Sequence, residues 1–215
     1  MPSATRAARA LDTRRRMVTA AYRLFCDRSY LGTTMTAVAV EANVAVQTLY
    51  YTFHTKAELF GEAVGAAVVG FDHWSGPHGL PIPVDELPRM LTWWEEFQSA
   101  PDTAGALKMF VHHGVDVLER VAPLVTALHG SAGDPDAVAV AQLGEERRVD
   151  SYRAAVHTLA HKDGGLRPGV SVSEATDVML VLFSAEVYQA LASGRGWSRA
   201  RCERFFTEVL ASQLL

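Results

Sequence analysis

Apolar residues in this chain recur three and four positions apart, and the first such stripe is Met17, Ala20, Ala21, Leu24 and Phe25. That spacing keeps one face of a helix apolar and predicts a helix over 13–27. Tyr30-Leu31-Gly32 follows, with Gly32 suited to a backbone turn. Thr33-Thr34 then opens a short helix over 35–42, because a Thr hydroxyl ahead of Met35 can accept from the free amides of a first turn. Val38, Ala39 and Ala42 make its inner face. Asn43 comes next, and after Gly it is the residue most at ease in the left-handed conformation that ends a helix. With Val44 as the apolar plug of the turn, a third helix starts at Ala45 or Val46 and runs to Phe53. Leu49 and Phe53, four apart, must share its inner face, so Gln47, Thr48, Tyr51 and Thr52 point outward with Tyr50 at the edge. His54-Thr55 ends that helix, and Thr55-Lys56-Ala57-Glu58 fits a capping box that starts a fourth, running to Phe71.

The rest of the chain carries the same period. Ser75 to Pro83 is rich in Gly and Pro and reads as a short linker. Helices are predicted over 85–99, 103–130 with Pro123 a candidate break, 135–161, 173–194 and 198–214, with Ser173 and Ser198 as caps. In the last of these Cys202, Phe205, Phe206, Val209 and Leu210 form one stripe. No Asn-Gly or Asp-Gly hairpin lies between alternating runs, so the fold class is all-α.

Charge changes the picture more than composition does. The whole chain has 215 residues, is 49% hydrophobic and carries a net charge of −4. Residues 1–60 hold Arg6, Arg9, Arg14, Arg15, Arg16, Arg23, Arg28 and Lys56 against only Asp12, Asp27, Glu41 and Glu58, while the remainder is strongly acidic. A basic segment on an acidic body suits a small polyanion-binding module joined to something else. The plainer account is that the arginines solvate a helix face. Cys26 and Cys202 fit neither a zinc spacing nor a disulfide framework, which points to a reducing compartment. The arginines of the N-terminus precede no apolar core of a signal peptide, and the apolar run Val178–Ala185 is too short to span a bilayer, so a cytoplasmic protein is expected.

Two short helices joined through a left-handed turn make a helix–turn–helix, whose second helix can enter a major groove. Its outer face here offers an amide, hydroxyls and phenols, which can bond base edges or phosphates and pack on thymine methyls. The N-terminus of the fourth helix, with Lys56, suits a phosphate.

At this point the chain resembles the TetR family of transcription regulators. The resemblance covers residues 13–60 and rests on Leu24-Phe25, Gly32-Thr33-Thr34, Val38-Ala39, Ala42, Val44, Thr48-Leu49-Tyr50-Tyr51, Phe53, Lys56 and Leu59. It implies about nine helices: a three-helix DNA-binding head, here residues 1–55, and a ligand-binding and dimerisation domain, here 56–215. It implies a homodimer through roughly 173–194 and 198–214, an operator of double-stranded DNA and a small-molecule effector with no membrane partner. The family's DNA contacts map onto Thr34, Gln47, Thr48, Tyr50, Tyr51, Thr52 and Lys56. It also implies a fourth helix that links head to cavity. Departures are Asn43 where Gly is usual, Ala45 where Ser or Thr caps, Val46-Gln47 where a basic and a small residue are common, and Thr52 in place of a frequent His. They bear on which operator is read.

Ligand pockets are mostly aromatic and apolar with a few polar groups. Met90, Trp93, Trp94 and Phe97 make one unusually aromatic stretch, and Phe110, His113, Tyr152 and Phe183 are the further candidates. Their plainer role is core. Glu186 interrupts an apolar helix and is expected to bond a neighbour in the core or at a subunit seam. His157 and His161 are four apart on a helix, but no third metal ligand is evident; His112 and His113, being adjacent, point in different directions. No metal site, cofactor or catalytic constellation is expected. The leading reading is a repressor released from its operator by an apolar ligand. The second is a helical adaptor of the same fold that has lost DNA binding, toward which Ala45 and Val46 lean.

Overall fold

The computed structural model describes residues 2–76 and 91–215, with side chains from Ala7 onward. Its first helix, α1 (Pro2–Gly32), starts well before the predicted 13–27. Residues 2–12 have no apolar stripe to betray a helix, but they are rich in Ala and Arg, which favour one without tertiary help. Near its end Ser29 departs from helical geometry at φ 66°, ψ 172°. The turn expected at Gly32 thus begins at Ser29, the residue with positive φ, and buried Thr33 repairs the break through its hydroxyl, which lies 3.0 Å from the carbonyl of Leu24 and 2.8 Å from that of Ser29.

Three helices follow as predicted: α2 (Met35–Glu41), α3 (Val46–Thr52) and α4 (Lys56–Val69). Thr34 caps α2 by accepting from the amide of Ala37, and Asn43 turns at φ 53°. Ala45 stands at the start of α3 in extended geometry with no side-chain cap. Thr55 accepts from the amide of Glu58 at 3.0 Å, while the Glu58 carboxylate reaches back to the amide of His54 at 3.0 Å. Helix α4 stops at Gly70, whose φ of 97° a side chain would resist. The core between α1, α2 and α4 includes Met17, Phe25, Val38, Leu49, Phe53 and Phe60, all buried. Phe60 meets Phe25 edge-on at 4.9 Å and Tyr30 at 5.4 Å.

The arginines of α1 hold this unit together. Arg14 forms a two-point ion pair with Glu62, which is only 5% exposed, and lies over the ring of Phe53. Arg15 donates twice to the carbonyl of Trp74, and Arg16 donates to that of Ala42 at 2.8 Å. Part of the basic run that reads as a polyanion patch is thus tied to the fold, although Arg15 and Arg16 remain exposed.

The chain divides into two compact units, Met1–Ile82 with Pro123–Gly144, and Pro83–Ala122 with Glu145–Leu215. The second unit is built from α5 (Trp94–Ser99), most of α6 (Thr103–Ala127) and α7 (Pro135–Ala160), then α8 (Val172–Leu182), α9 (Ala185–Arg195) and α10 (Arg199–Leu214). Of the helix predicted over 85–99 only Trp94–Ser99 is helical among the described residues; 85–90 lie outside them, as does most of the predicted linker. Pro123 does not break α6, although the boundary between the two units falls there.

The helix predicted over 173–194 is capped by Ser171 instead of Ser173 and is interrupted at Phe183–Ser184. Ser184 accepts from the amide of Val187 and so begins α9 afresh. The carbonyls freed by the interruption find partners on α7: Tyr152 donates to Phe183 at 2.6 Å and Arg148 to Leu180 at 2.7 Å. With α8 and α9 counted as one broken helix, the described residues form nine, and none forms a strand. Val172–Arg195 is long and apolar enough to cross a membrane by length and composition, although the run Val178–Ala185 alone is too short; within the second unit α8 packs on α10 while Val181 stays exposed. Glu186 is exposed in the first turn of α9, which rules out the core and leaves the subunit seam of the two places expected for it; an acidic side chain there suits the positive end of a helix.

Candidate functional site

The outer face of α3 is set by what its inner face buries. Leu49 and the following Phe53 are almost wholly inaccessible, so Gln47, Thr48, Tyr50 and Tyr51 are left in solvent. Tyr51 is 87% exposed and Tyr50 49%, unusual values for rings that a core would readily bury. Thr52 is half-buried and donates to the carbonyl of Thr48, so its hydroxyl is already engaged. Thr34 is exposed; its oxygen serves as the α2 cap while its hydroxyl proton stays available. Lys56 is half-buried, donates to the carbonyl of Tyr30 at 3.0 Å and sits over that ring. An ammonium has three donors, so this anchoring leaves it able to reach an anion. The structure adds Val40, 75% exposed on α2. Its signal in the sequence was helical period alone, which sets it off the Val38–Ala39–Ala42 face.

In the second unit the aromatic candidates gather in one cluster. Trp93 stacks on His113 with centroids 5.1 Å apart and planes 8° from parallel, and meets Phe110 at 5.9 Å. Phe110 in turn contacts Phe97, Tyr152 and Phe183. Trp94 is 7% exposed and its indole N–H has no partner among the described residues. Met90 lies outside the described residues. Two members escaped sequence reasoning. Phe206, assigned only to a helix stripe, meets Phe183 at 5.0 Å. Gly114 admits the Phe183 ring: a Cβ built there would lie 2.5 Å and 2.7 Å from two of its carbons. Burial, then neighbouring His112, hold His113 below the usual imidazole range, and burial pushes the Tyr152 phenol up.

The sequence pattern described as bacterial regulatory proteins, tetR family, matches residues 18–63, the span from mid-α1 through the first half of α4. That match places residues 18–63 with the DNA-binding segment of TetR-family proteins. Regulators of that family bind DNA operators and small-molecule effectors and form dimers. No curated protein matched the chain. Solved structures resemble this chain along nearly its whole length. A protein from Mesorhizobium loti assigned to the TetR family is 23% identical with a TM-score of 0.65, covering 96% of each chain. NalD, the secondary repressor of the MexAB-OprM multidrug efflux pump in Pseudomonas aeruginosa, is 18% identical with a TM-score of 0.66, covering 94% of this chain and 96% of its own. FadR from Bacillus subtilis, solved with stearoyl-CoA, is 12% identical with a TM-score of 0.62, covering 91% and 96%. At such identities these likenesses establish the fold alone.

Proposed function

We propose that this protein is a DNA-binding transcription regulator of the TetR type, a repressor that a small, largely apolar or aromatic ligand releases from its operator. The observation that carries the DNA reading is the exposed Gln47-Thr48-Tyr50-Tyr51 face of α3, held rigid by Leu49 and Phe53. Rings with polar tips, standing free beside amide and hydroxyl groups, suit base edges and thymine methyls. Thr34 and Lys56 flank that face and serve phosphates or base edges from the starts of α2 and α4, and Thr52, its proton held by Thr48, is left to accept from a base edge at the end of α3. In this reading residues 1–55 form the reading head and 56–215 the ligand-binding and dimerising part. The protein works in the cytoplasm, where its operator lies, and catalyses nothing.

The ligand reading is supported by Trp93, Trp94, Phe97, Phe110, His113, Tyr152 and Phe183, which the fold brings into one aromatic cluster. The indole N–H of Trp94, without a partner among the described residues, favours a ligand that brings an acceptor, since a buried donor left unsatisfied costs about 1–3 kcal/mol. Homodimerisation through 173–194 and 198–214 is supported by Phe205 and Val209, half-buried on α10, and by Val181, exposed on α8. A dimer would set two α3 helices into successive major grooves, about 34–36 Å apart.

The test is an operator-shift assay on the DNA flanking the protein's own gene. The wild-type dimer is expected to shift it and Tyr51→Ala to abolish the specific shift. A folded dimer that shifts no such fragment overturns the reading in favour of an adaptor. For the ligand, a thermal-shift screen of apolar compounds is expected to give hits whose stabilisation Trp93→Ala or Phe97→Ala reduces. A ligand response that survives both changes would place the pocket elsewhere.

A further inference from the structure

The helical spacing of His112, His113 and Asp116 on α6 brings three metal-ligating groups together: one donor atom from each lies within 4.8 Å of the others. Adjacent histidines on a helix were expected to diverge, but their rings meet edge-on at 5.0 Å. What separates this group from a chance cluster is the support around it. His112 Nδ1 lies 2.9 Å from Glu203 Oε1 on α10, and a carboxylate only accepts, so Nδ1 carries the proton. Its other nitrogen is left with the lone pair a metal needs. Asp116 Oδ1 accepts from Arg199 Nε and from a terminal guanidinium nitrogen, while Arg199 also reaches Glu203 Oε2 at 3.1 Å and the carbonyl of His112 at 3.2 Å. Among the bonds of the described residues Asp116 Oδ2 takes no part, so it is free to ligate while Oδ1 stays held. His113 is half-buried, its ring face fixed on Trp93. A ligating histidine whose second nitrogen donates to a carboxylate, beside a ligating carboxylate that is itself bonded, is the outer shell that orients metal ligands.

We infer that His112, His113 and Asp116 bind a first-row divalent transition-metal ion, with Glu203 and Arg199 of α10 as orienting groups. Two imidazoles and one carboxylate suit zinc, cobalt, nickel or ferrous iron, and not calcium or magnesium. Bonds of about 2.0–2.1 Å need the donors drawn together by roughly an ångström, within reach of side-chain rotation. The charges agree: Asp116 and Glu203 exceed Arg199 by one negative charge around two histidines that are neutral ligands. Because the orienting groups come from α10, occupancy would tighten α6 on the helix that the proposed dimer uses. The inference rests on the geometry of α6 and α10 and stands apart from the identity of any organic effector.

The probes are Co2+ and Zn2+ alone, added to the full-length chain. Trp93 stacks on His113, so Co2+ is expected to quench tryptophan fluorescence at one ion per chain and to show a ligand-field absorption band, both displaced by Zn2+. His113→Gln and Asp116→Asn should each weaken the quench at least tenfold. Glu203→Gln should weaken it by about 10–100-fold, the range for orienting groups. Circular dichroism would show each variant folded; should Asp116→Asn lose its fold with the Arg199 contact, His113→Gln carries the test alone. The exposed pair His157 and His161, with rings 4.3 Å apart on α7, is the competing site. Retention of full affinity in folded His113→Gln, or its loss only on replacing His157 and His161, overturns the inference. So does the absence of any Co2+ band.

Discussion

Tyr51 shows most sharply how a single residue declares its role. A phenol ring 87% exposed contributes almost nothing to folding, so its removal should leave the melting temperature in place. The lost operator contact should cost about 1–3 kcal/mol of binding, roughly 5–150-fold, read by titrating labelled operator. Tyr51→Phe separates the ring from its hydroxyl: retained affinity assigns the contact to packing on a thymine methyl, and lost affinity assigns it to a hydrogen bond. Six residues earlier, Ala45 makes the opposite kind of prediction. It already holds the extended geometry of a cap but offers no acceptor to the first turn of α3. Ala45→Ser supplies one and should raise stability by about 1 kcal/mol, measurable by urea titration, without touching the outward face.

At the scale of elements, much was legible because short-range chemistry decided it. The Leu49–Phe53 pair, the left-handed Asn43, the Thr34 and Thr55 caps and the ends of α7 all follow from neighbours a few residues away. What was not legible depends on partners far along the chain. The bends at Ser29 and Phe183 are held by Thr33 and by Tyr152, and the Arg14–Glu62 pair joins residues 48 apart. The aromatic cluster lies between these cases: its members were named from residue type, but only packing could add Phe206 and Gly114. Two substitutions probe these long-range ties. Glu62→Ala strands a guanidinium against Phe53 and should destabilise the first unit by about 3 kcal/mol, the lower end for breaking a buried pair because Arg14 is partly solvated. Gly114→Ala thrusts a methyl into the Phe183 ring and should cost about 1–3 kcal/mol. Denaturant unfolding reads both, and a Gly114→Ala protein as stable as wild type would show that Phe183 has room to move.

For the whole molecule, the question is what a net charge of −4 leaves for holding DNA. The basic excess of residues 1–60 suggested a broad electrostatic footprint. Yet Arg14, Arg15 and Arg16 spend their donors on Glu62, on the carbonyl of Trp74 and on that of Ala42. Arginines tied to the fold in this way hold the head in shape and, though Arg15 and Arg16 stay exposed, have fewer donors left for phosphates. The salt dependence of operator binding should therefore be shallower than the arginine count implies, since each phosphate contact adds about 0.9 to the slope of log K against log salt. Arg15→Ala separates the two roles. As an internal tie it should lower the melting temperature and weaken binding equally at every salt concentration, leaving the slope unchanged. As a phosphate contact it would reduce the slope by nearly one for each head, with little loss of stability. Operator titrations between low and physiological salt, run beside a thermal melt, decide between them. An unchanged slope with a lowered melting temperature would leave the α3 face and the starts of α2 and α4 as the principal means by which this acidic protein recognises its operator.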